Sequence, residues 1–366
     1  MSRLEELIAE LCPDGVEYKN LSQVLTIKNG KDYKGFGKGD VPVYGTGGIM
    51  THIDQAVFEK PSVLIPRKGS LSNLYYVDVP FWTVDTIFYT DIRIEVIEPK
   101  FVFYYLQAQH LEKLNTAGGV PSLTQAVLST IKIPLPPLPV QQETVRILDK
   151  FTELTAELTA ELTARKKQYE YYRDELLSSD KETRYVTLDD ICEISRGRVM
   201  SKEYLRDNAG EYPVYSSQTA NNGIFGFINT FDYDDESITW TTDGANAGSV
   251  FYHVSERFSL TNVCGLLRVT NKNEVNTKFV YYVLQIVAKR YVSSGMGNPK
   301  LMSNVMARVK IPLPPMEKQN RIVTILNRFD ALCNDLTSGL PAEIEARRKQ
   351  YEYYRDKLLT FKEARA

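Results

Sequence analysis

The sequence has few of the groups on which most catalytic and metal chemistry depends. Three histidines, His52, His110 and His253, and four cysteines, Cys12, Cys192, Cys264 and Cys333, are spread over 366 residues. No CxxC pair occurs and no histidine has a second candidate ligand near it in sequence, so neither a metal site nor a disulfide framework is expected. A reducing cytoplasm is the compartment this cysteine usage suggests. No run approaches the roughly 18 consecutive apolar residues of a membrane span, and the start, MSRLEELIAELCPDG, lacks a basic stretch followed by an apolar one. Neither membrane insertion nor export is expected. Positive charge is not in excess either: 44 Lys and Arg stand against 46 Asp and Glu, a net charge of -2, which weighs against a protein that simply coats nucleic acid. A GxxxxGK[ST] phosphate loop is missing, as is a glycine-rich cofactor turn. PDGVEYK at Pro13 imitates the carboxylate-and-lysine pattern of a nuclease, but Asp14 and Glu17 are too close to sit on successive strands, and a turn entering a strand explains them.

What the sequence does contain is itself, twice. Its length corresponds to two to two and a half domains at roughly 150 residues each. IKIPLPP at residues 131–137 returns as VKIPLPP at 309–315, preceded at the same offset by FVFYYLQ from Phe101 and FVYYVLQ from Phe279. RKKQYEYYRDELLS from Arg165 returns as RRKQYEYYRDKLLT from Arg347. PVYGTGGI at Pro42 resembles PVYSSQTANNGI at Pro213 more loosely. Each half is therefore a variable block followed by a near-identical one, and the chain divides into 1–138, 139–180, 181–316 and 317–366.

The variable blocks mix β-branched and aromatic runs with Gly, Asn and Asp turns, as in SVLIPRKGSLSNLYYVDV and SITWTTDGANAGSVFYHV, which read as strands and hairpins. Phe101, Tyr104, Tyr105 and Ala108 then share one helical face, as do their counterparts. Each variable block is expected to be a compact α+β domain. From Gln141 to Leu177 the first repeated block has no Gly or Pro, and one long helix is expected. Its apolar line runs through Leu154, Leu158, Leu162, Tyr169 and Tyr172. In the second copy Ile322, Ile325, Phe329, Leu332 and Leu336 step 3-4-3-4, a heptad seam. Ser338-Gly339-Leu340-Pro341 breaks that seam, and a new helix starts at Pro341. Two seams in one chain predict an antiparallel intramolecular coiled coil with a globular domain at each end. A helix of about 37 residues spans roughly 55 Å, or about 16 base pairs. It contains tandem TAEL units at Thr155–Leu158 and Thr159–Leu162; one unit more or less changes its length by about 6 Å and turns its far end by about 40°. A helical spacer without a length-specific role would contain the same residues, but placed between duplicated domains the run reads as a ruler.

The duplicated (I/V)KIPLPP runs, the TAEL spacer and the RRKQYEYYRDKLL ending after GLPAEIEA resemble the specificity subunit of type I restriction-modification systems, over essentially the whole chain. The resemblance implies two target-recognition domains, each reading one half of a bipartite site in double-stranded DNA, joined by two helical conserved regions related by a pseudo-two-fold repeat. It further implies that this chain is not catalytic and carries no cofactor. Two methyltransferase subunits that modify adenine at N6 with S-adenosylmethionine, and restriction subunits that use ATP and Mg2+, are the implied partners. No NPPY or DPPF tetrapeptide of an amino-methyltransferase occurs in this chain. The different-class alternative is a coiled-coil adaptor whose end domains bind proteins rather than DNA.

Base edges are read by side chains, whereas phosphate contacts supply affinity, so local charge matters more than the total. The loop KNGKDYKGFGK offers Lys28, Lys31, Tyr33 and Lys34, and its counterpart SRGRVMSKEY offers Arg196, Arg198 and Lys202. A solvated hairpin tip accounts for the first loop equally well. IPRKGSLSN supplies Arg67, Lys68, Ser70 and Asn73, where TTDGANAGS supplies Thr242, Asp243 and Asn246. The glycine-rich turns AGGVPSLTQ and SGMGNPKLMSN precede the repeat, and the second contains Asn298 and Lys300. The acidic run Asp232, Asp234, Asp235 and Glu236 is expected to face away from DNA. Tyr169, Tyr172, Tyr351 and Tyr354 at helical spacing read as aromatic anchors in the paired helices or toward a methyltransferase, rather than as base-stacking platforms.

Overall fold

The computed structural model describes residues 3–115, 119–177, 183–293, 297–335 and 337–364. Its strands are β1 Tyr18–Asn20, β2 Leu25–Asn29, β3 Val41–Gly45, β4 Gly48–Ile53, β5 Ser62–Pro66, β6 Tyr75–Val77, β7 Trp82–Thr83, β8 Ile87–Ile92 and β9 Lys132–Pro134. In the second half follow β10 Tyr185–Thr187, β11 Cys192–Arg196, β12 Tyr212–Tyr215, β13 Ile224–Ile228, β14 Ser237–Thr241, β15 Val250–His253, β16 Ser259–Leu260, β17 Cys264–Val269 and β18 Lys310–Pro312. The longer helices are α1 Arg3–Leu11, α2 Pro99–Ala108, α3 Leu138–Leu177, α4 Thr277–Val287, α5 Met316–Asn334 and α6 Leu340–Leu358.

Each strand has a counterpart nine strands later. The first half contains the sheets β2-β8-β5-β6, β4-β3-β7 and β1-β9, and the second contains β11-β17-β14-β15, β13-β12-β16 and β10-β18. Registers repeat as well: Leu25 opposes Ile92 where Cys192 opposes Val269, and Ile65 opposes Phe88 where Trp240 opposes Gly265. Both four-stranded sheets are antiparallel. Their central strands β5 and β14 are buried throughout, since these short apolar runs are covered on both faces.

The KIP of each proline run is itself a strand, pairing Lys132–Pro134 with Tyr18–Asn20 and Lys310–Pro312 with Tyr185–Thr187. One fully buried glutamine then fixes the start of each following helix. Gln141 donates to the carbonyls of Pro136 and Val96 and accepts from Glu98 N; Gln319 donates to Pro314 and Glu274 and accepts from Asn276 N. Burying an amide so deeply is tolerable only when its donors and acceptor are all used. Farther along, Tyr104 OH reaches Asp149 at 2.6 Å and Tyr282 OH reaches Asn327 at 2.8 Å, joining α2 to α3 and α4 to α5.

The chain forms two compact units, residues 1–160 with 343–366, and residues 161–342. The division falls inside α3, so each unit owns part of the long helix. That helix begins at Leu138, three residues before the expected Gln141, because Pro139 occupies a first turn whose N–H groups have no intrahelical partner. In unit 1, Ile147 and Leu358 pack on one small core and Phe151 stacks on Tyr354 at 5.5 Å, so α3 and α6 run antiparallel. In unit 2, Tyr169 and Tyr172 both meet Phe329, and Leu176 approaches Ile322, so α3 and α5 are antiparallel too. The break expected after the heptad seam separates α5 from α6. Asp335 terminates α5 by accepting from Thr337 N, Thr337 Oγ1 and Ser338 N. Gly339 is required there, since a Cβ would lie 2.5 Å from the Ala331 carbonyl. Among the described residues no helix is long and apolar enough to cross a membrane.

Candidate nucleic-acid interface

In unit 1 the loop after β5, the β3–β4 turn and the segment before Leu123 are tied into one group. Gly69 N donates to Pro121 O at 3.0 Å and Leu123 N to Arg67 O at 2.9 Å. Thr46 sits at the centre: its hydroxyl lies 2.9 and 3.0 Å from the carbonyls of Lys68 and Thr86, and its own carbonyl accepts from Asn73 Nδ2 and Tyr75 OH. Unit 2 repeats the two backbone bonds of this clasp. Gly244 N donates to Pro299 O at 3.0 Å and Leu301 N to Thr242 O at 2.9 Å. Gly69 and Gly244 have φ of +88° and +84°, a conformation that glycine adopts without the Cβ penalty.

On this common frame the side chains differ. Arg67 lies over the Phe88 ring with Nη1 toward the Asp85 carbonyl, while Lys68 and Ser70 are exposed. The equivalent pair in unit 2 is Thr242 and Asp243. Thr242, expected among the DNA-facing groups, is instead fully buried; its hydroxyl accepts from Arg196 Nη2 and donates to Asp243 Oδ2, both at 3.0 Å. Asp243 in turn lies 3.9 Å from Arg196 Nη2 and 3.6 Å from Lys300 Nζ. Arg196 Nε is buried without a hydrogen-bond partner. Asn298 and Lys300 are exposed beside this cluster, and Asn246 is half-buried in the same loop with its carbonyl accepting from Ser249 N.

The glycine-basic loops divide. Lys31 and Lys34 are exposed, with the loop shaped by Asp32 accepting from Tyr33 N and Lys34 N. Tyr33 packs partly, with Phe36, on the cluster of Val43, Ile53, Trp82 and Val84. Lys28 differs from expectation: its ammonium is bound to Asp91 at 2.8 Å and lies over the Phe58 ring, and the Asp91 hydrogen bond raises its pKa. Arg198 is likewise occupied, by Asp232 at 3.1 Å and by the hydroxyl and ring of Tyr204, whereas Lys202 is exposed. The acidic run is thus not remote from the basic groups. Asp232 holds Arg198, Asp235 holds Arg268 and Glu236 holds Lys272, so its charges are paired with basic side chains of the same unit. The repeat aligns Asp243 with Lys68, and that alignment is the signal by which the cluster of Asp243 with Arg196 and Lys300 could have been found.

Along the helices, Leu158 and Leu162 are half-buried, while Leu154 and Leu332 are exposed by somewhat more than a third. Leu336 lies outside the described residues. Tyr169 is buried, which pushes its pKa up to about 12. Tyr351 donates to Gln107 at 3.0 Å and meets Tyr104 edge-on. Their neighbours Tyr171 and Tyr353, equivalent in the repeat but off the helical face that the other four tyrosines share, are both mostly exposed. The four cysteines are free and buried. Among the described residues no three His, Cys, Asp or Glu side chains are grouped so as to hold a metal.

The chain is similar to known proteins over most of its length. The family model for the type I restriction modification DNA specificity domain matches twice, at residues 13–165 and 180–346. The specificity subunit of a Mycoplasma pneumoniae type I restriction enzyme is 38% identical over 315 residues, covering 68% of this chain and 94% of that one. A putative type I specificity subunit of Haemophilus influenzae is 31% identical over 376 residues, covering 94% and 96%. The crystal structure of a type I system S subunit from M. genitalium has the same fold, with a TM-score of 0.67 at 18% identity over 94% of this chain and 96% of that one. Two copies of the domain, two matching clasps and a helical region after each place this chain in the family of type I restriction-modification DNA specificity subunits.

Proposed function

We propose that this chain is the non-catalytic reader of a bipartite site in double-stranded DNA, each clasp contacting one half-site. One observation carries the reading: the same backbone clasp is built twice and furnished with unlike side chains, as two readers of different sequences require. Unit 1 presents Lys68 and Ser70 at its clasp, and unit 2 presents Arg196, Asn298 and Lys300 around Asp243. Arginine and asparagine pair with guanine and adenine edges, and lysine serves bases or phosphates. The TAEL run of α3 sets the gap between the half-sites. Two methyltransferase subunits supply adenine-N6 methylation with S-adenosylmethionine, and restriction subunits supply ATP- and Mg2+-dependent cleavage. The family match gives no support to a coiled-coil adaptor that does not recognise DNA. Methylome sequencing of cells expressing this chain with its methyltransferase tests the proposal: one bipartite motif with a fixed gap is expected, and methylation without sequence preference would sink it.

A further inference from the structure

One clasp position carries opposite charge in the two units. Lys68 precedes Gly69 and Asp243 precedes Gly244, and the two are bridged to equivalent partners, Lys68 to Ser122 and Asp243 to Lys300. The Lys68 side chain is exposed, and that of Asp243 is partly so. Around Asp243 the contacts are uneven. Its Oδ2 accepts from Thr242 Oγ1 at 3.0 Å and has Arg196 Nη2 at 3.9 Å, while Oδ1 has Lys300 Nζ at 3.6 Å. Charge-assisted hydrogen bonds close to about 2.7–2.9 Å, and neither cation comes so near. Elsewhere in unit 2 the acidic groups are fully engaged, Asp232 by Arg198 at 3.1 Å and Asp235 by Arg268 at 3.2 Å. The two cations therefore offset the charge of Asp243 without saturating it, and among the described residues Oδ1 accepts no hydrogen bond.

We infer that this position reads opposite polarities of base edge in the two units: Asp243 Oδ1 accepts from the exocyclic amino group of a cytosine or adenine, and Lys68 Nζ donates to the keto oxygen of a guanine or thymine. The inference rests on the clasps being the DNA contacts and names what each selects. A carboxylate has only acceptors and an ammonium only donors, so each group chooses by rejection as well as attraction. Against a keto oxygen Asp243 meets lone pairs and no donor; against an amino group Lys68 meets hydrogens and no acceptor. An unaccompanied carboxylate would also be repelled by the phosphates, and Arg196 and Lys300 remove that penalty in unit 2. A carboxylate that served only to brace the two cations would hold them at hydrogen-bond length.

The test uses the full chain in complex with its methyltransferase and duplexes carrying the bipartite motif that methylome sequencing returns. Each adenine or cytosine opposite unit 2 is replaced in turn by deoxynebularine or deoxyzebularine, which lack the amino group. One replacement is expected to weaken binding by about tenfold or more with the native chain and to have no effect with D243A. In unit 1, where Lys68 is exposed and Ser122 half-buried, K68D/S122K transplants the unit 2 pair. It should exchange one keto-bearing base of the first half-site for an amino-bearing one and leave the second half-site as it was. If every loss persists unchanged in D243A, or if K68D/S122K leaves the first half-site intact or merely degenerate, the inference is overturned while the bipartite motif, and with it the DNA reading, stands. Absence of any bipartite motif would instead sink the DNA reading and the inference with it.

Discussion

At the clasps the two units share the two main-chain hydrogen bonds that close them and few of the side chains that surround them. Gly69 and Gly244, Pro121 and Pro299, Leu123 and Leu301 superpose in role and in hydrogen-bond length. Across the same bridge, Lys68 faces Ser122 in unit 1, while Asp243 faces Lys300 in unit 2. The scaffold is thus set by glycine conformation and backbone pairing, both independent of the side chains on the outer face, and this leaves those side chains free to differ. The same trade appears inside the sheets. Ile65 opposite Phe88 in unit 1 becomes Trp240 opposite Gly265 in unit 2, the larger ring moving to the other strand and the residue facing it shrinking to glycine.

Breaking that internal exchange should have the largest effect. Trp240→Ala removes a fully buried indole that also donates to the Leu301 carbonyl, and a cost of about 3–5 kcal/mol is expected. Gly265→Phe against the retained tryptophan should be worse, since even a Cβ would lie 2.2 Å from the indole; the double variant W240I/G265F restores the unit 1 pairing and should recover much of the loss. Urea unfolding with hydrogen exchange read separately over the two units checks this, and equal damage to unit 1 would contradict it.

Next in size are the clasp groups. Arg196→Ala should cost about 1–3 kcal/mol of discrimination at one base pair of the second half-site. Asp243→Asn should release Arg196 and Lys300, blurring that same position while raising non-specific affinity and its salt dependence. Methylation motifs and DNA titrations at two salt concentrations separate these outcomes; a changed first half-site in either variant would show that the units are not independent readers. Deleting Thr159–Leu162 shortens α3 by about 6 Å and should alter the gap by about two base pairs with both half-sites unchanged. Altered half-sites with the old gap would refute the ruler.

The smallest effect concerns acid. In unit 2 Glu256 is hydrogen-bonded by buried His253, at 3.0 Å, and by Tyr215, and these bonds lower its pKa. Val77 occupies the His253 position in unit 1, opposite Ser62 as His253 is opposite Ser237. A carboxylate whose folded pKa is depressed stabilises fully above its unfolded value, and the contribution is lost as pH falls through the folded one. Unit 2 should therefore lose no more than about 1 kcal/mol between pH 6 and about pH 3 that E256Q does not lose. Exchange measured over that range would detect an equal loss in unit 1, the result that contradicts the assignment.

The sequence made some of this legible and hid the rest for physical reasons. The long helix could be read because helix formation is local: an uninterrupted stretch without Gly or Pro suffices. The break before Leu340 was legible for the same reason. The burial of Thr242 was not, since it depends on Arg196 arriving from a strand 46 residues away. Lys28 and Arg198 look like free cations in sequence because Asp91 and Asp232 are brought to them only by the sheets. The RLEELIAEL segment carries its amphipathic pattern openly, but nothing local says which groove it fills.

The last segment of the chain belongs to unit 1. Val16 N donates to Lys362 O, Ala364 N donates to Val16 O, and Tyr18 OH reaches Phe361 O at 3.0 Å. All of unit 2 lies before residue 343. Unit 1 is therefore discontinuous in sequence, while unit 2 is one uninterrupted stretch. A chain cut short at residue 342 would keep every residue of unit 2 and lack the tail that closes unit 1, so limited proteolysis of that truncated chain should spare unit 2 and open unit 1.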